Sequence, residues 1–126
     1  MKMKILCIDD SKSVHAFLRQ CVSEVSLDFK SVFDGEEAIR LFSGPNPPSF
    51  DVIFLDWEMP KKTGPEVLDE IKRLKVQTPV IMLTSKNDVA DISSVLSKGA
   101  HEYVMKPFTK DIIIEKLSSL ASGGGF

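Results

Sequence analysis

Short apolar runs that alternate with helix-like patterns constrain the fold of this chain more than any other feature. Three of the runs are continuous and rich in β-branched residues: Ile5–Ile8, Val52–Leu55 and Val80–Leu83. Such runs are typical of parallel strands that are covered on both faces. Weaker strands are predicted at Phe29–Phe33 and Tyr103–Met105. We therefore expect a five-stranded sheet built from these segments.

Helical patterns separate the predicted strands. The first predicted helix has one apolar face, which consists of Val14, Phe17, Leu18, Cys21, Val22 and Val25. Capping residues and helix breakers predict further helices that begin at Asp34 and at Thr63, and two more over Asp88–Lys98 and Thr109–Leu120. Strands that alternate with helices along a whole chain imply a parallel sheet with helices on both faces, joined by right-handed crossovers.

The length of 126 residues fits a single domain. We expect this domain to span residues 1–121, followed by a flexible, glycine-rich tail at residues 122–126. Cys7 and Cys21 occupy apolar positions of a predicted strand and helix, so both are expected to be buried and reduced.

Charge and hydropathy narrow the classes of function. The net charge is −2 and there is no basic stripe, which argues against direct binding of nucleic acid. No apolar run approaches 18 residues, so we expect no membrane insertion. The N-terminus does not resemble a signal peptide, and the cytoplasm is the expected compartment.

Residues suited to metal and phosphate chemistry follow four of the predicted strands, and in open parallel sheets ligands bind outside the carboxyl ends of the strands. These residues are Asp9-Asp10, Asp56, Thr84-Ser85 and Lys106-Pro107. Three carboxylates at one sheet edge repel one another unless a divalent cation or Lys106 compensates their charge. Oxygen-only ligands indicate Mg²⁺ or Ca²⁺, and a site with few carboxylates suits Mg²⁺ better.

The same residues form motifs of a known family. Asp9-Asp10-Ser11, Asp56 within Leu-Asp-Trp-Glu-Met-Pro, Thr84-Ser85 and Lys106-Pro107-Phe108 resemble the receiver domain of two-component response regulators, in particular the stand-alone chemotaxis type. The resemblance covers nearly the whole chain. It implies a flavodoxin-like, doubly wound (βα)5 fold with a five-stranded parallel sheet in the order 2-1-3-4-5. That order places the first and third strands side by side.

The resemblance also implies a phosphoacceptor and a metal site. Asp56 would accept a phosphoryl group from a phosphohistidine of a sensor histidine kinase or a histidine phosphotransfer protein. Asp10, the Asp56 carboxylate and the Glu58 backbone carbonyl would bind Mg²⁺, while Asp9 would act mainly through a bound water. Such a domain assists its own phosphorylation and dephosphorylation and is not an enzyme with a separate substrate.

By the same resemblance, Thr84 and Lys106 take catalytic roles, and Thr84 and Tyr103 take switch roles. Thr84 and Lys106 would contact phosphoryl oxygens, and Lys106-Pro107 would be a cis peptide. Phosphorylation would draw Thr84 inward, and Tyr103 would follow into the vacated space. The face formed by the fourth helix, fifth strand and fifth helix would then change and control a downstream protein whose identity the sequence does not give.

Two features are particular to this chain. Glu58 and Lys86 carry opposite charges near the expected entrance of the site, and we hypothesise that they approach each other and hinder the water that hydrolyses the phosphoaspartate. The alternative is two solvated loop residues. His15 is expected on the polar surface of the first helix, where, with Lys12 and Arg19, it would help to select the kinase.

Three other classes of protein agree less well with this sequence. A Mg²⁺-dependent, haloacid-dehalogenase-like phosphatase also uses an aspartate nucleophile, but it requires Asp-x-Asp on the first strand, where this chain has adjacent aspartates. A flavin-binding domain would need a Ser/Thr- and Gly-rich loop after Ile8. A phosphorylation-independent, receiver-like scaffold predicts that Asp56 is never labelled.

Overall fold

The computed structural model describes the backbone of residues 2–123 and the side chains of residues 2–120. Strands and helices alternate throughout this part of the chain. The strands are β1 (Met3–Ile8), β2 (Ser26–Val32), β3 (Val52–Asp56), β4 (Val80–Thr84) and β5 (Glu102–Met105). The helices are α1 (Lys12–Cys21), α2 (Gly35–Phe42), α3 (Gly64–Arg73), α4 (Val89–Ser97) and α5 (Lys110–Gly123). Each predicted element is present, although β2 begins three residues earlier than expected.

The strands form one parallel sheet in the order β2-β1-β3-β4-β5. β1 pairs with β3 through Ile8 and Leu55, and β3 pairs with β4 through Asp56 and Leu83. The predicted flavodoxin-like order is therefore confirmed. The carboxyl ends of β1, β3 and β4 lie next to one another at the middle of one sheet edge.

The core lies on both faces of the sheet, as the continuous apolar runs predicted. Every residue of β3 and β4 is buried. Leu18 of α1 and Ile113 of α5 pack on one face, while Leu68 of α3 and Val95 of α4 pack on the other. Both cysteines are buried free thiols, which confirms their expected state.

The capping residues begin the helices as the sequence indicated. The Asp34 side chain accepts a hydrogen bond from the Glu37 N–H at 2.8 Å, and Asp88 accepts one from Ala90 at the same distance. Thr63 and Glu66 form a complete capping box at the start of α3. α3 is thereby anchored directly after the loop that leaves β3.

One expectation about α1 is wrong. The sequence predicts His15 on the polar surface, but it is 4% exposed, whereas Phe17, predicted on the apolar face, is 43% exposed. His15, Leu18 and Val22 are separated by three and four residues, so they share one side of the helix. That side faces the sheet, and the ring of His15 is buried with it.

The helices are short, and the longest is α5 with 14 residues. No helix within residues 2–123 combines the length and apolar character needed to cross a membrane. α5 continues to Gly123, two residues into the segment predicted as a tail, and residues 124–126 of that segment lie outside the described residues.

Candidate functional site

Three carboxylates converge at the carboxyl-terminal ends of the inner strands β1 and β3. Asp9 and Asp10 directly follow β1, and Asp56 is the last residue of β3, the neighbouring strand. One oxygen from each carboxylate lies within 4.8 Å of the others. Asp9 and Asp56 are buried, at 0% and 4% exposure, whereas Asp10 faces solvent. The structure thus brings together the three acidic residues that the sequence placed at strand ends.

These carboxylates line a cavity of about 210 Å³. Its lining residues are Asp9, Asp10, Ser11, Asp56, Trp57, Glu58, Ser85 and Lys106. Because a water molecule occupies about 30 Å³ in the liquid, the cavity has room for a hydrated cation or for a phosphoryl group with waters. Except for the Trp57 ring and the stem of Lys106, the wall is polar, which suits charged ligands.

Lys106 bridges the two buried carboxylates. Its ammonium Nζ lies 2.9 Å from Asp56 Oδ1 and 3.0 Å from Asp9 Oδ2. The Lys106 backbone N–H donates to the Thr84 carbonyl at 2.7 Å, which ties the segment after β5 to the end of β4. The Lys106–Pro107 peptide is cis, the isomer that the resemblance implied.

Burial dominates the electrostatics of the site. Desolvation raises the pKa of Asp56 to about 6, with the Asp9 carboxylate adding to the effect and the hydrogen bond from Lys106 opposing it. Burial alone would lower the pKa of Lys106, but its hydrogen bonds to Asp56 and Asp9 outweigh burial and raise that pKa. One ammonium therefore faces three carboxylates, and a divalent cation fits the remaining charge and the all-oxygen donor set.

The backbone after Asp56 folds tightly against β4 and α3. The Trp57 N–H donates to the Leu83 carbonyl at 3.0 Å, and the Gly64 N–H donates to the Trp57 carbonyl at 2.7 Å. A Cβ added at Gly64 would collide with the Asp56 carbonyl oxygen and with the Trp57 Cα. Only glycine permits this close approach, which fixes the peptide that carries Asp56.

The two predicted switch residues do not line the cavity. Thr84 is 1% exposed, and its hydroxyl oxygen accepts a hydrogen bond from the Lys86 N–H at 2.8 Å. Its neighbour Ser85 contributes to the cavity wall instead. Tyr103 is half-buried and packs against the core on the side of α2, α3 and α4. Ser85 stands in the predicted Thr-Ser pair, but no role was assigned to it from the sequence.

The expected approach of Glu58 and Lys86 is not observed. Within residues 2–120, no ion pair joins them at 4.0 Å or less, although Glu58 lines the cavity. The Lys86 ammonium instead lies 5.8 Å from the centroid of the Trp57 ring. An exposed ion pair stabilises by only about 0–1 kcal/mol, and a cation–π contact with a tryptophan face is of similar strength.

Sequence reasoning also missed the contact that His15 makes with the site. Its ring Nε2 lies 2.7 Å from the carbonyl oxygen of Asp9. The periodicity of α1 contained the signal, because His15 is in phase with Leu18 and Val22. Classifying histidine as a polar surface residue concealed it.

An apolar recess adjoins the polar cavity. It has a volume of about 580 Å³ and is lined by Ser13, Val14, Phe17, Lys106, Pro107 and Phe108. The rings of Phe17 and Phe108 lie 5.6 Å apart between centroids. The recess and the acidic cavity share Lys106 and are therefore adjacent.

Comparisons with known proteins agree with this fold. The family model described as "Response regulator receiver domain" matches residues 5–118. A probable transcriptional regulator, ycf27, of Guillardia theta is 41% identical over 108 residues, covering 86% of this chain and 41% of its own length. The alkaline phosphatase synthesis transcriptional regulatory protein PhoP of Bacillus subtilis is 35% identical, covering 86% of this chain and 44% of its own. This chain spans about half the length of such curated relatives or less.

A solved structure extends the likeness to three dimensions. The receiver domain of the Francisella response regulator 1452 superimposes with a TM-score of 0.85 at 31% identity, and the match covers 98% of this chain and 99% of that one. The family model covers the segment that holds every acidic residue of the cavity and Lys106. The chain therefore belongs to the response regulator receiver domain family.

Proposed function

We propose that this receiver domain accepts a phosphoryl group on Asp56 and acts as a phosphorylation-controlled signalling switch. The observation that carries the proposal is the position of the Asp56 carboxylate. It ends the central strand β3, lines the acidic cavity, and accepts a hydrogen bond from Lys106 at 2.9 Å. Receiver domains as a class are phosphoacceptor switches, and this geometry supports the same role here.

In the proposed reaction, a carboxylate oxygen of Asp56 attacks phosphorus in a phosphohistidine or in a small acyl phosphate. The new P–O bond forms as the bond to the donor breaks, and its electron pair returns to the imidazole nitrogen or the departing carboxylate. No general base is required, because the carboxylate is already an anion above its pKa of about 6. Positioning and charge stabilisation supply most of the catalysis of phosphoryl transfer.

Lys106 and Thr84 are proposed to stabilise the phosphoryl oxygens. The Lys106 ammonium already lies at hydrogen-bond distance from Asp56, so a short movement would bring it to a phosphoryl group on that side chain. The Thr84 hydroxyl accepts from Lys86 and still has its own hydrogen to donate. Reaching a phosphoryl oxygen requires this buried hydroxyl to turn toward the cavity, and Tyr103 is proposed to follow it.

Receiver domains generally bind Mg²⁺ at an acidic pocket, and the residues present fit that ion. We assign the ligands to the carboxylates of Asp10 and Asp56 and to the backbone carbonyl of Glu58, with Asp9 acting through a bound water. When bound, Mg²⁺ neutralises negative charge on the transferring phosphoryl group. Because Asp10 faces solvent, an ion can enter the site from that side. Asp9 and Asp56 are buried and close the opposite side of the site to bulk water.

A histidine kinase or histidine phosphotransfer protein is the proposed phosphodonor. The apolar recess around Phe17 and Phe108 is adjacent to the cavity and gives such a protein a surface to dock on. Lys12 and Arg19 are exposed on α1 and remain candidates for kinase selection. His15 is buried and does not contribute directly to that surface.

The proposed output is a protein contact on the face formed by α4, β5 and α5. Val95 is the buried residue of α4, while Val89, Leu96 and, on α5, Ile112 are 77%, 40% and 38% exposed. A downstream protein that covers these apolar side chains would sense the change at Tyr103. We propose no separate substrate turnover and no direct nucleic-acid contact by this domain, although the relatives named above are called transcriptional regulators.

Intact mass spectrometry tests the proposed function. The chain is incubated with acetyl phosphate, with and without Mg²⁺, beside the variant Asp56→Asn. The expected result is a single phosphoryl increment that requires Mg²⁺ and is absent from the variant. Asp28→Asn, which changes an exposed carboxylate on β2, is the matched control and should be labelled like the unmodified chain.

Other outcomes would point to the alternatives. Labelling that persists in Asp56→Asn would mean that another residue is the nucleophile. No labelling by acetyl phosphate or by any phosphohistidine donor would favour a phosphorylation-independent scaffold. Continuous release of phosphate from an added phosphomonoester would favour a phosphatase.

A further inference from the structure

We infer that His15 is a positioning residue that holds the Asp9–Asp10 turn in the conformation required to bind a divalent cation. This inference rests on the proposed metal site and extends it beyond the residues that line the cavity. None of the proposed chemical steps uses His15, yet its side chain reaches the backbone of the acidic turn.

The His15 ring is fixed from several sides. It is 4% exposed, and its centroid lies 4.4 Å from that of Phe33, with the rings inclined by 43°. The ring Nε2 lies 2.7 Å from the Asp9 carbonyl oxygen. Because a carbonyl oxygen only accepts, Nε2 carries a hydrogen and is the donor. The backbone N–H of His15 also donates to Ser11, the N-cap of α1, at 3.2 Å.

The carbonyl that His15 holds belongs to the peptide joining Asp9 to Asp10. Because a peptide unit is planar, fixing the direction of its oxygen also fixes the direction in which the chain continues to the Asp10 Cα. The Asp9 amide donates to the Val32 carbonyl at 3.1 Å, and its carboxylate accepts from Ser11 and Lys106. Those bonds hold the amide and the carboxylate of Asp9, and the bond from His15 holds its carbonyl oxygen.

The surroundings of the other ring nitrogen, Nδ1, support a role for the Nε2 bond. Nδ1 is buried and has no hydrogen-bond partner among the described residues. Burying an unpaired polar atom is unfavourable, and a leucine would avoid that penalty while still packing on Phe33. A histidine in this position therefore contributes something that an apolar side chain cannot, and the bond to Asp9 is the contact that fits.

The consequence concerns metal affinity more than folding. Without the bond, the Asp9–Asp10 peptide is freer to rotate, and the backbone that carries the Asp10 carboxylate is held less firmly. Removing an interaction that orients a metal ligand typically weakens metal binding about 10- to 100-fold. Since Asp10 is exposed and retains its charge, we expect the lower end of that range, a loss of about tenfold.

The experiment is a Mg²⁺ titration of the full chain, in which the fluorescence of Trp57 reports binding because this residue lines the cavity. His15→Leu removes the donor, while His15→Gln places an amide N–H close to the position of Nε2. We expect His15→Leu to raise the Kd for Mg²⁺ about tenfold and His15→Gln to stay within about twofold of the unmodified chain. If His15→Leu does not fold, His15→Asn, whose amide is too short to reach Asp9, takes its place.

Two controls separate positioning from general destabilisation. His101→Leu changes an exposed histidine in the loop before β5 and should leave the Kd unchanged. Phe42→Leu weakens the core on the α2 side, away from the site, and is compared with His15→Leu after the Tm of each is measured. At an equal loss of Tm, only His15→Leu should bind Mg²⁺ more weakly.

The inference is overturned if His15→Leu binds Mg²⁺ as tightly as the unmodified chain. It is also overturned if a folded His15→Gln is as weak as His15→Leu, or if Phe42→Leu loses the same affinity at the same Tm. Failure of the proposed metal site looks different, because then the unmodified chain itself gives no saturable response to Mg²⁺.

Discussion

Asp56 lies in a position that disfavours the ionised form of its carboxylate. Folding takes its carboxylate out of water and raises its pKa from 3.8 to about 6. The folded chain therefore binds this proton more tightly than the unfolded chain does. The resulting stabilisation is complete below a pH of about 4 and is lost as the pH rises through about 6. At neutral pH, the ionised carboxylate is left in a site that disfavours it.

Asp56→Asn should therefore stabilise the metal-free chain at pH 7.5. A shift from 3.8 to about 6 corresponds to on the order of 3 kcal/mol at most, so we expect the Tm to rise by up to roughly 10 °C. The gain should shrink as the pH is lowered to about 4.5, where the unmodified carboxyl is protonated in the fold. Differential scanning calorimetry at several pH values measures both effects, with Asp28→Asn as the exposed control.

Lys106 acts as the counter-charge of the buried carboxylates, and Lys106→Met should expose this role. Removing one partner of a partly buried ion pair should lower stability by about 2 kcal/mol in metal-free buffer. Saturating Mg²⁺ should restore more Tm in this variant than in the unmodified chain, because the ion replaces the lost positive charge. Lys86→Met, which removes the ammonium near Trp57, is the control. Equal Mg²⁺ responses in all three proteins would contradict this account.

At the scale of elements, the junction between β3 and α3 couples helix packing to the proposed phosphoacceptor Asp56. Gly64 begins α3 and lies against the backbone of Asp56 and Trp57, while the Thr63–Glu66 capping box holds the helix start in place. A change in the first turn of α3 is thereby transmitted to the end of β3 by direct contact.

Gly64→Ala should destabilise the fold and slow phosphorylation together. Its Cβ would push on the Asp56 carbonyl, and overpacking of this kind costs about 1–3 kcal/mol. Gly44→Ala is a matched control, since a Cβ at Gly44 meets no atom within 4 Å. Thermal unfolding and the rate of labelling by acetyl phosphate measure the two effects. If Gly64→Ala behaved like Gly44→Ala, the close approach would have no consequence.

α4 is the helix best suited to move. Val95 is its buried residue, whereas Val89 and Leu96 are largely exposed, and segments with few buried contacts open at low free energy. Phosphorylation should change amide hydrogen exchange in α4 and β5 more than in α2. Hydrogen-exchange mass spectrometry with and without acetyl phosphate tests this expectation, and Asp56→Asn should show no change. Equal changes in α2 would argue against a switch located at the α4–β5–α5 face.

At the scale of the whole molecule, the sequence best predicted the strands whose residues are all buried. β3 and β4 are buried on both faces, and such strands require continuous apolar runs that are recognisable without a structure. The carboxylates were predictable because parallel strands end at a common edge. β2 was located less accurately, since it lies at the edge of the sheet and has mixed burial.

The sequence failed where tertiary contacts decide the environment of a single side chain. His15 is buried and Phe17 is exposed, the reverse of the prediction. The polarity of a helical residue predicts its burial less well than its position relative to the buried Leu18 does. Lys86 lies near the Trp57 ring and forms no ion pair with Glu58 among the described residues, since the direction of a loop side chain depends on neighbours that are distant in sequence. α5 extends beyond its predicted end at Leu120 because helix termini carry weak local signals.

The strand order also determines when the acidic site acquires its counter-charge during folding. The acidic residues follow β1 and β3, while the ammonium that neutralises them follows β5, so the site draws on nearly the whole length of the chain. A nascent chain on the ribosome has its carboxylates early, but it lacks Lys106 until the last strand has emerged and joined the sheet. The site is complete only when β5 has joined the sheet, so a chain that stops before Lys106 would carry the acidic cluster without its counter-charge.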